Sequence, residues 1–198
     1  MAVIKADIAN VQQIVDGMQR GPVVLPTETL YALAVPISSK SGYDAVYKLK
    51  NVKMQSASPV GFYGLRDMEK YCSMDEGTKR IARKLLPGPL TLIIKSKVEA
   101  HWVVNERIAA RISSSLLVRE IIRKVGPITM VGANIRGFRS SANLQEIIGQ
   151  FGDKIKLYVD GGEISGVPST IYDCTTKKLL REGTITLKSI KEAENGLR

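Results

Sequence analysis

The sequence predicts an α/β fold, a single domain spanning residues 1–198 with a mixed, twisted β-sheet flanked by helices. Three observations support this prediction. Hydrophobic residues make up 44% of the chain and charged residues 24%, which is an ordinary globular composition. Short apolar runs typical of strands are interleaved with amphipathic stretches typical of helices, without the strict strand–helix rhythm of a parallel sheet. No repeat, low-complexity segment or Gly/Ser-rich linker divides the chain.

The helices are predicted from apolar spacing and from residues that start or stop a helix. Asp7 can cap a helix whose apolar positions recur at helical spacing, and Gly21 ends it. Proline stops a later helix at Pro87, because its ring cannot continue the helical backbone. The predicted helices are 7–21, 41–50, 67–72, 75–86, 116–124, 144–151 and 189–194. The predicted strands are 22–26, 60–63, 90–95, 109–112, 128–131, 157–160, 169–173 and 179–181. Residues 54–58 are predicted to form a polar turn.

The charge of the chain indicates a class of partner. There are 29 basic and 19 acidic residues, a formal net charge of +10. Between Lys79 and Gln145 there are 13 basic residues and 3 acidic ones, so the whole excess lies in that third of the chain. A localised cationic field favours nucleotides, phosphates or nucleic acid. A solvated basic surface gives the same composition, and charge alone does not separate the two interpretations.

Cysteine and histidine usage excludes several kinds of site. Cys72 and Cys174 are far apart and no CxxC occurs, which excludes a disulfide-rich scaffold and a cysteine zinc site and fits a reducing compartment. The single histidine, His101, excludes multi-histidine metal sites and most histidine-based triads. No signal peptide or membrane segment is recognisable, so a cytoplasmic protein that does not bind membranes is expected. Neither of the common glycine-rich phosphate loops is present.

Four polar segments lie beside predicted strands, where binding residues often occur. They combine hydroxyls, small residues and prolines, and each alone has an ordinary interpretation as a turn or a helix cap. The four segments are 26–31 (PTETLY), 87–91 (PGPLT), 132–137 (GANIRG) and 161–170 (GGEISGVPST). Their occurrence together, in this order, carries the signal.

Taken in order, these segments resemble the YrdC-type threonylcarbamoyl-AMP synthase family, whose members act in tRNA modification. The family pattern runs PTET-[VIL]-Y-G-L, K-x-R, PGPLT, V-R-x-P, S-x-N with a following glycine, P-S-T-[IV]-x-D and [IL]-L-R-x-G. The matching positions here are 26–33, Lys50, 87–91, 110–112, 132–137, 168–173 and 179–183. The likeness covers residues 20–185.

The resemblance implies an enzyme, a nucleotidyltransferase that condenses L-threonine, bicarbonate and ATP into threonylcarbamoyl-AMP and releases pyrophosphate. It implies a fold with a broad, basic, concave groove. ATP would be a substrate, and Mg²⁺ would arrive with it, held mainly by phosphates rather than by a protein metal site. The implied partners are tRNA or double-stranded RNA and a separate transferase that passes the threonylcarbamoyl group to tRNA.

The resemblance also implies roles for individual residues. The implied catalytic residues are Lys50, Arg111 and Arg181. The implied threonine-binding residues are Thr29, Tyr31 and Arg111. The implied ATP-binding residues are Lys50, Lys53, Asn134, Ser169 and Arg181. Lysine and arginine suit this chemistry, because N-carboxythreonine and ATP are both polyanions whose charges must be neutralised before they can react. The planar fork of an arginine suits the threonine carboxylate.

Departures from the family pattern keep a second hypothesis open. Val52 stands where the family has the arginine of K-x-R, and Lys53 is one position late. Gly132 replaces the serine of S-x-N, and Ser113 replaces the proline after the arginine strand. These changes fit a divergent but active enzyme, which is the main prediction. The alternative is a catalytically weakened RNA-binding or regulatory protein that keeps the basic groove. An unrelated sugar-phosphate lyase of similar architecture has no supporting motif.

Overall fold

The computed structural model describes residues 1–53 and 57–196. The helices are α1 (Val11–Gln19), α2 (Lys40–Lys50), α3 (Leu65–Tyr71), α4 (Glu76–Leu85), α5 (Leu116–Val125), α6 (Leu144–Phe151) and α7 (Leu187–Asn195). The strands are β1 (Ala2–Lys5), β2 (Val23–Pro26), β3 (Tyr31–Ala34), β4 (Pro59–Gly61), β5 (Cys72–Ser73), β6 (Leu90–Ser96), β7 (Arg107–Arg111), β8 (Ile128–Thr129), β9 (Val131–Gly132), β10 (Leu157–Asp160), β11 (Thr170–Asp173) and β12 (Lys178–Arg181). The predicted α/β fold with helix-flanked mixed sheets is confirmed.

The described strands form two sheets, whereas the sequence predicted one. The first has the order β1-β10-β2-β3-β9, and the second has the order β12-β11-β6-β7-β4-β8, with β5 paired to β6. The predicted strand 128–131 breaks at Met130. Its first half pairs with β4 in one sheet and its second half with β3 in the other. The chain therefore passes from one sheet to the other at this point. An apolar run does not show such a break, because both halves are buried.

Amphipathic helices cover these sheets as the spacing predicted. In α1 the buried residues are Val11, Ile14, Val15, Gly17 and Met18, which face a core shared with α5 and β2. Side chains before five of the helices accept backbone N–H groups of the first turn: Ser39, Asp75, Ser115, Asn143 and Thr186. Asp7 caps a short 3₁₀ turn, Ile8–Asn10, and α1 begins only at Val11, so the predicted helix start at residue 7 is wrong by four residues. Most predicted helix bounds are therefore right to within a few residues.

Three strands were not predicted from the sequence: β1, β3 and the two-residue β5, whose first residue was assigned to the end of a helix. The four residues of β3 are all buried, so the polar–apolar alternation of a half-exposed strand is absent there. In β1, only Ile4 is partly buried, and the strand is held at the sheet edge by parallel pairing with β10. A four-residue segment that is wholly buried, as in β3, or mostly exposed, as in β1, lacks the alternation from which a strand is predicted. Of the polar turn predicted at 54–58, residues 54–56 lie outside the described residues.

Three further observations concern sites and membranes. Cys72 and Cys174 are free and buried, and burial raises the pKa of each thiol to about 12. Within residues 1–53 and 57–196 no group of three or more His, Cys, Asp or Glu side chains could hold a metal ion. Among the helices of those residues, none has the length and apolar character that crossing a bilayer demands.

Candidate active site

A cavity of about 310 Å³ lies where three of the four predicted segments meet. Its walls come from the ends of β2, β7, β9 and β12 and from the residues just before β11. The predicted site residues that line it are Thr29, Tyr31, Arg111, Asn134, Ser169 and Arg181. The fold thus brings together residues that are up to 152 positions apart in the sequence. In particular, both predicted arginines line the same cavity.

The segment 87–91 supports this cavity from behind. Thr91 is fully buried in β6, and its hydroxyl lies 3.0 Å from the hydroxyl of Ser169. β6 pairs in parallel with β11, which places Thr91 opposite Ile171. Thr91 therefore fixes the position of a cavity residue without lining the cavity.

Arg111 ends β7 and is almost completely buried, with 4% of its surface exposed. Its Nη2 donates to the hydroxyl of Thr29 at 2.9 Å and lies 2.9 Å from Glu28 Oε1. No described donor is aligned with Oε1 for a hydrogen bond, so this contact is an ion pair with imperfect alignment. The buried Nε of Arg111 has no hydrogen-bond partner among the described residues.

Glu28 holds Arg111 in place. Its Oε2 accepts a hydrogen bond from Ser113 at 2.5 Å. Burial alone would raise the pKa of Glu28, but the positive charge of Arg111 and the hydrogen bond from Ser113 outweigh burial and hold the pKa below its usual value. Glu28 is therefore a carboxylate at neutral pH. Ser113, which replaces the family's proline, contributes directly to this arrangement.

Arg181 enters the cavity from β12 and is held by Ser169. Its Nε donates to the Ser169 carbonyl at 2.9 Å, and its Nη2 donates to the Ser169 hydroxyl at 3.2 Å. Burial and the positive charge of Arg111 both lower the pKa of Arg181. Two guanidinium groups close enough to repel each other attract an anion placed between them.

Lys50 and Lys53 lie beside the cavity, in a cleft of about 620 Å³. Lys50 ends α2, and its Nζ donates to the Gly132 carbonyl, the Asn134 carbonyl and Asn134 Oδ1 at 2.5, 2.7 and 2.9 Å. Burial lowers the pKa of Lys50 to about 8. Lys53 is exposed. The amine of Lys50 is thus engaged by the loop that carries Asn134.

Tyr31 contributes its ring to the cavity wall, but its hydroxyl is engaged elsewhere. The hydroxyl accepts from Gly161 N at 3.0 Å and donates to the Gly162 carbonyl at 3.2 Å. Gly166 N in turn donates to the Thr29 carbonyl at 2.9 Å. The segment PTETLY and the glycine-rich segment 161–170 are thereby fixed against each other.

Sequence reasoning missed two cavity residues, Ser58 and Ser140. Ser140 donates to Asn134 Oδ1 at 3.1 Å, and a Cβ added at Gly132 would lie only 2.9 Å from the Ser140 hydroxyl. Ser58 shares a hydrogen bond with the hydroxyl of Tyr47. Ser58 belongs to the predicted polar turn 54–58, to which no site residue was assigned, and Ser140 lies outside all four polar segments. Polar residues in a stretch without regular spacing give no signal of their own.

A family model supports the resemblance. The Sua5/YciO/YrdC model, described as "Telomere recombination", matches residues 18–183. A human protein named threonylcarbamoyl-AMP synthase is 30% identical over 148 residues, which cover 72% of this chain and 52% of that protein.

Two crystal structures share the fold. P. abyssi Sua5 complexed with L-threonine has a TM-score of 0.90 at 23% identity, covering 100% of this chain and 62% of the other. E. coli YciO has a TM-score of 0.85 at 21% identity, covering 95% and 97%. At 23% and 21% sequence identity, these two likenesses establish the shared fold alone. This chain spans about half the length of the human relative and less than two thirds of the Sua5 chain.

Proposed function

This chain belongs to the Sua5/YciO/YrdC family, and from that premise we propose that it is an L-threonylcarbamoyladenylate synthase. In this proposal residues 1–198 act as one domain that condenses L-threonine, bicarbonate and ATP into threonylcarbamoyl-AMP, pyrophosphate and water, the water being lost when the threonine amine and bicarbonate form N-carboxythreonine. A separate transferase then passes the threonylcarbamoyl group to tRNA. The similar human protein is named for this reaction, and the similar Sua5 protein was crystallised with L-threonine.

One observation carries the proposal: Arg111 and Arg181 line one small cavity. N-carboxythreonine has two negative charges and ATP has about four, so bringing them into contact is the main difficulty of the reaction. Two partly desolvated guanidinium groups offset this repulsion without any proton transfer.

We assign the threonine carboxylate to Arg111 and Thr29. The Arg111 guanidinium is oriented by Glu28, and its buried Nε retains an unused N–H. In this assignment the threonine carboxylate pairs with the part of the planar guanidinium that lines the cavity. The ring of Tyr31 closes the same side of the cavity.

We assign the ATP phosphates to Arg181 and Ser169, which lie at the end of β12 and just before β11. In the reaction, a carbamate oxygen of N-carboxythreonine bonds to the α-phosphorus. The bond from that phosphorus to the bridging oxygen breaks, and its electron pair leaves with pyrophosphate. Arg181 would stabilise the charge that develops on the phosphoryl oxygens. Lys53, exposed beside the cavity, would attract the pyrophosphate end.

Mg²⁺ would be carried by the nucleotide in this proposal. The carboxylate nearest the arginines, Glu28, is committed to Arg111 and Ser113. The described residues offer no cluster for a resident metal, which suits an ion held mainly by phosphate oxygens. The metal would supply charge neutralisation on the phosphates.

A second candidate function is a binding protein that keeps the basic groove and has lost catalysis. The observation that favours it is the capture of Lys50 by the loop 132–134, together with Val52 in place of the family's arginine. This candidate predicts RNA affinity that falls steeply with salt, and no adenylate.

Mass spectrometry after incubation with ATP, Mg²⁺, L-threonine and bicarbonate separates the two functions. We expect threonylcarbamoyl-AMP and pyrophosphate release that requires threonine. Arg111→Ala should abolish both, whereas Arg123→Ala, which removes an exposed arginine of α5, should change neither. Pyrophosphate release without threonine, or full activity of Arg111→Ala, would refute the proposed mechanism. Salt-dependent RNA binding with no adenylate would establish the second candidate.

A further inference from the structure

A second cleft lies away from the catalytic cavity, at the other end of β2. Its volume is about 670 Å³, and its walls are the end of α1, the residues before β2, one side of α2 and the 3₁₀ turn after α6. Pro22, before β2, lines this cleft, whereas Thr27, after β2, lines the catalytic cavity. The two linings have no described residue in common. The size of the cleft is that of a site for a small organic molecule.

Three cations line this cleft, and no carboxylate of a described residue does. Arg20 directly follows α1, Lys48 belongs to the last turn of α2, and Lys154 lies in the 3₁₀ turn. All three are exposed, and none forms an ion pair or a side-chain hydrogen bond with a described residue. Asp44, four residues before Lys48, pairs with Lys40 at 2.7 Å instead. Cations from three separate segments thus surround one concave volume without a counter-ion from the protein, which favours an anionic ligand.

The inner wall of the cleft is largely apolar. Met18 is buried there, and Pro22 and Leu49 are half-buried. Gln19 and Ser41 add an exposed amide and an exposed hydroxyl, neither of which forms a side-chain hydrogen bond with a described residue. Inorganic phosphate would leave the apolar wall uncovered, whereas a ligand with a flat, weakly polar ring system would cover it and meet these two polar groups at its edges.

We propose that this cleft is a second binding site, for a nucleoside polyphosphate, with the phosphates among the three cations and the base against the apolar wall. A nucleoside di- or triphosphate has about three or four negative charges, which three cations largely offset. The site lies outside the proposed reaction and does not rest on it, because neither arginine of the catalytic cavity takes part. Binding here is therefore tested without L-threonine and without turnover.

The first test locates the binding by two-dimensional NMR of ¹⁵N-labelled protein titrated with ATP. We expect saturable shifts at the amides of Gly21 and Ala45, which lie in the cleft, separate from any shifts at Gly132 and Ser169 of the catalytic cavity. Adenosine lacks the charges and tripolyphosphate lacks the base, so each should bind the cleft at least about tenfold more weakly than ATP. Shifts confined to the cavity amides, or equal affinity of the cleft for tripolyphosphate and ATP, would overturn the inference.

The second test repeats the ATP titration on Arg20→Gln/Lys154→Gln. The two substitutions replace exposed cations by neutral polar side chains, so the fold should persist while the affinity of the cleft for ATP falls at least about tenfold. Lys48 stays in place because it also lines the cleft that contains Lys50. Lys188→Gln, which removes an exposed lysine of α7, is the matched control and should change nothing.

Unchanged affinity of the double variant at the cleft amides, or an equal loss in the control, would overturn the second site. Shifts at the cavity amides should be the same in all three proteins. If the unaltered protein releases no pyrophosphate with L-threonine, the proposed function fails, while these titrations still decide the cleft.

Discussion

Arg111→Ala tests the buried ion pair and the candidate site together. The substitution leaves the Glu28 carboxylate, whose side chain is 15% exposed, without its cation. Removing one partner of a buried pair costs about 3–5 kcal/mol, because the other charge stays in a poorly solvating place. Glu28 retains the hydrogen bond from Ser113, so we expect the lower end, about 3 kcal/mol of unfolding free energy at pH 7.

The pH dependence of this loss follows from the pKa of Glu28. In the unaltered protein that pKa lies below its unfolded value, so Glu28 contributes stability that is present above the unfolded pKa and is lost as pH falls through the folded one. Without Arg111, burial dominates and the folded pKa rises above the unfolded value. The difference in unfolding free energy between the unaltered protein and Arg111→Ala should therefore be largest at pH 7. It should be much smaller at about pH 4, where Glu28 of the variant is protonated.

Urea unfolding of Arg111→Ala, of Arg111→Ala/Glu28→Gln and of the control Arg123→Ala measures this prediction. Neutralising Glu28 removes the unpaired charge, so the double variant should recover at least about 1 kcal/mol relative to Arg111→Ala at pH 7. The control should lie within about 0.5 kcal/mol of the unaltered protein. A loss that does not depend on pH, or no recovery in the double variant, would refute the reasoning.

Two further predictions concern contacts around the cavity. Tyr31→Phe removes the acceptor of Gly161 N and should cost about 1–3 kcal/mol, with faster amide exchange at Gly161 as the measurement; unchanged exchange would contradict it. Gly132→Ser should destabilise by at most about 1 kcal/mol in urea unfolding, because its Cβ would lie 2.9 Å from the Ser140 hydroxyl, and the exposed Ser140 must turn away and lose its hydrogen bond to Asn134. In the Ser140→Ala background the added Cβ meets no hydroxyl and the extra cost should disappear, and Gly64→Ser, which meets nothing within 4 Å at the start of α3, should not destabilise.

The sequence predicted most elements and the residues that meet in the cavity for identifiable reasons. Helices such as α1 and α6 have apolar spacing and capping residues, which are local signals. The convergence of Thr29, Arg111 and Arg181 was predicted through the resemblance, since no local pattern relates residues so far apart. The predicted broad basic groove remains part of the proposal.

Other features depend on tertiary structure and could not be predicted locally. The predicted strand breaks at Met130 because the residues before it pair with β4 in one sheet and the residues after it pair with β3 in the other. Two of the acceptors of Lys50 are backbone carbonyls. Every residue has a carbonyl, so residue type does not predict which ones Lys50 contacts. The hydroxyl of Tyr31 turns toward Gly161 because β10 lies beside β2, a neighbour relation that no short segment encodes.

The most direct test of the account is a crystal structure of this protein with L-threonine and a non-hydrolysable ATP analogue. The account predicts that the threonine carboxylate lies within about 3 Å of the Arg111 guanidinium and that phosphate oxygens lie within about 3 Å of Arg181, in one cavity. Ligands bound elsewhere, or threonine and nucleotide in separate sites, would contradict the central claim that these two arginines bring the reacting anions together.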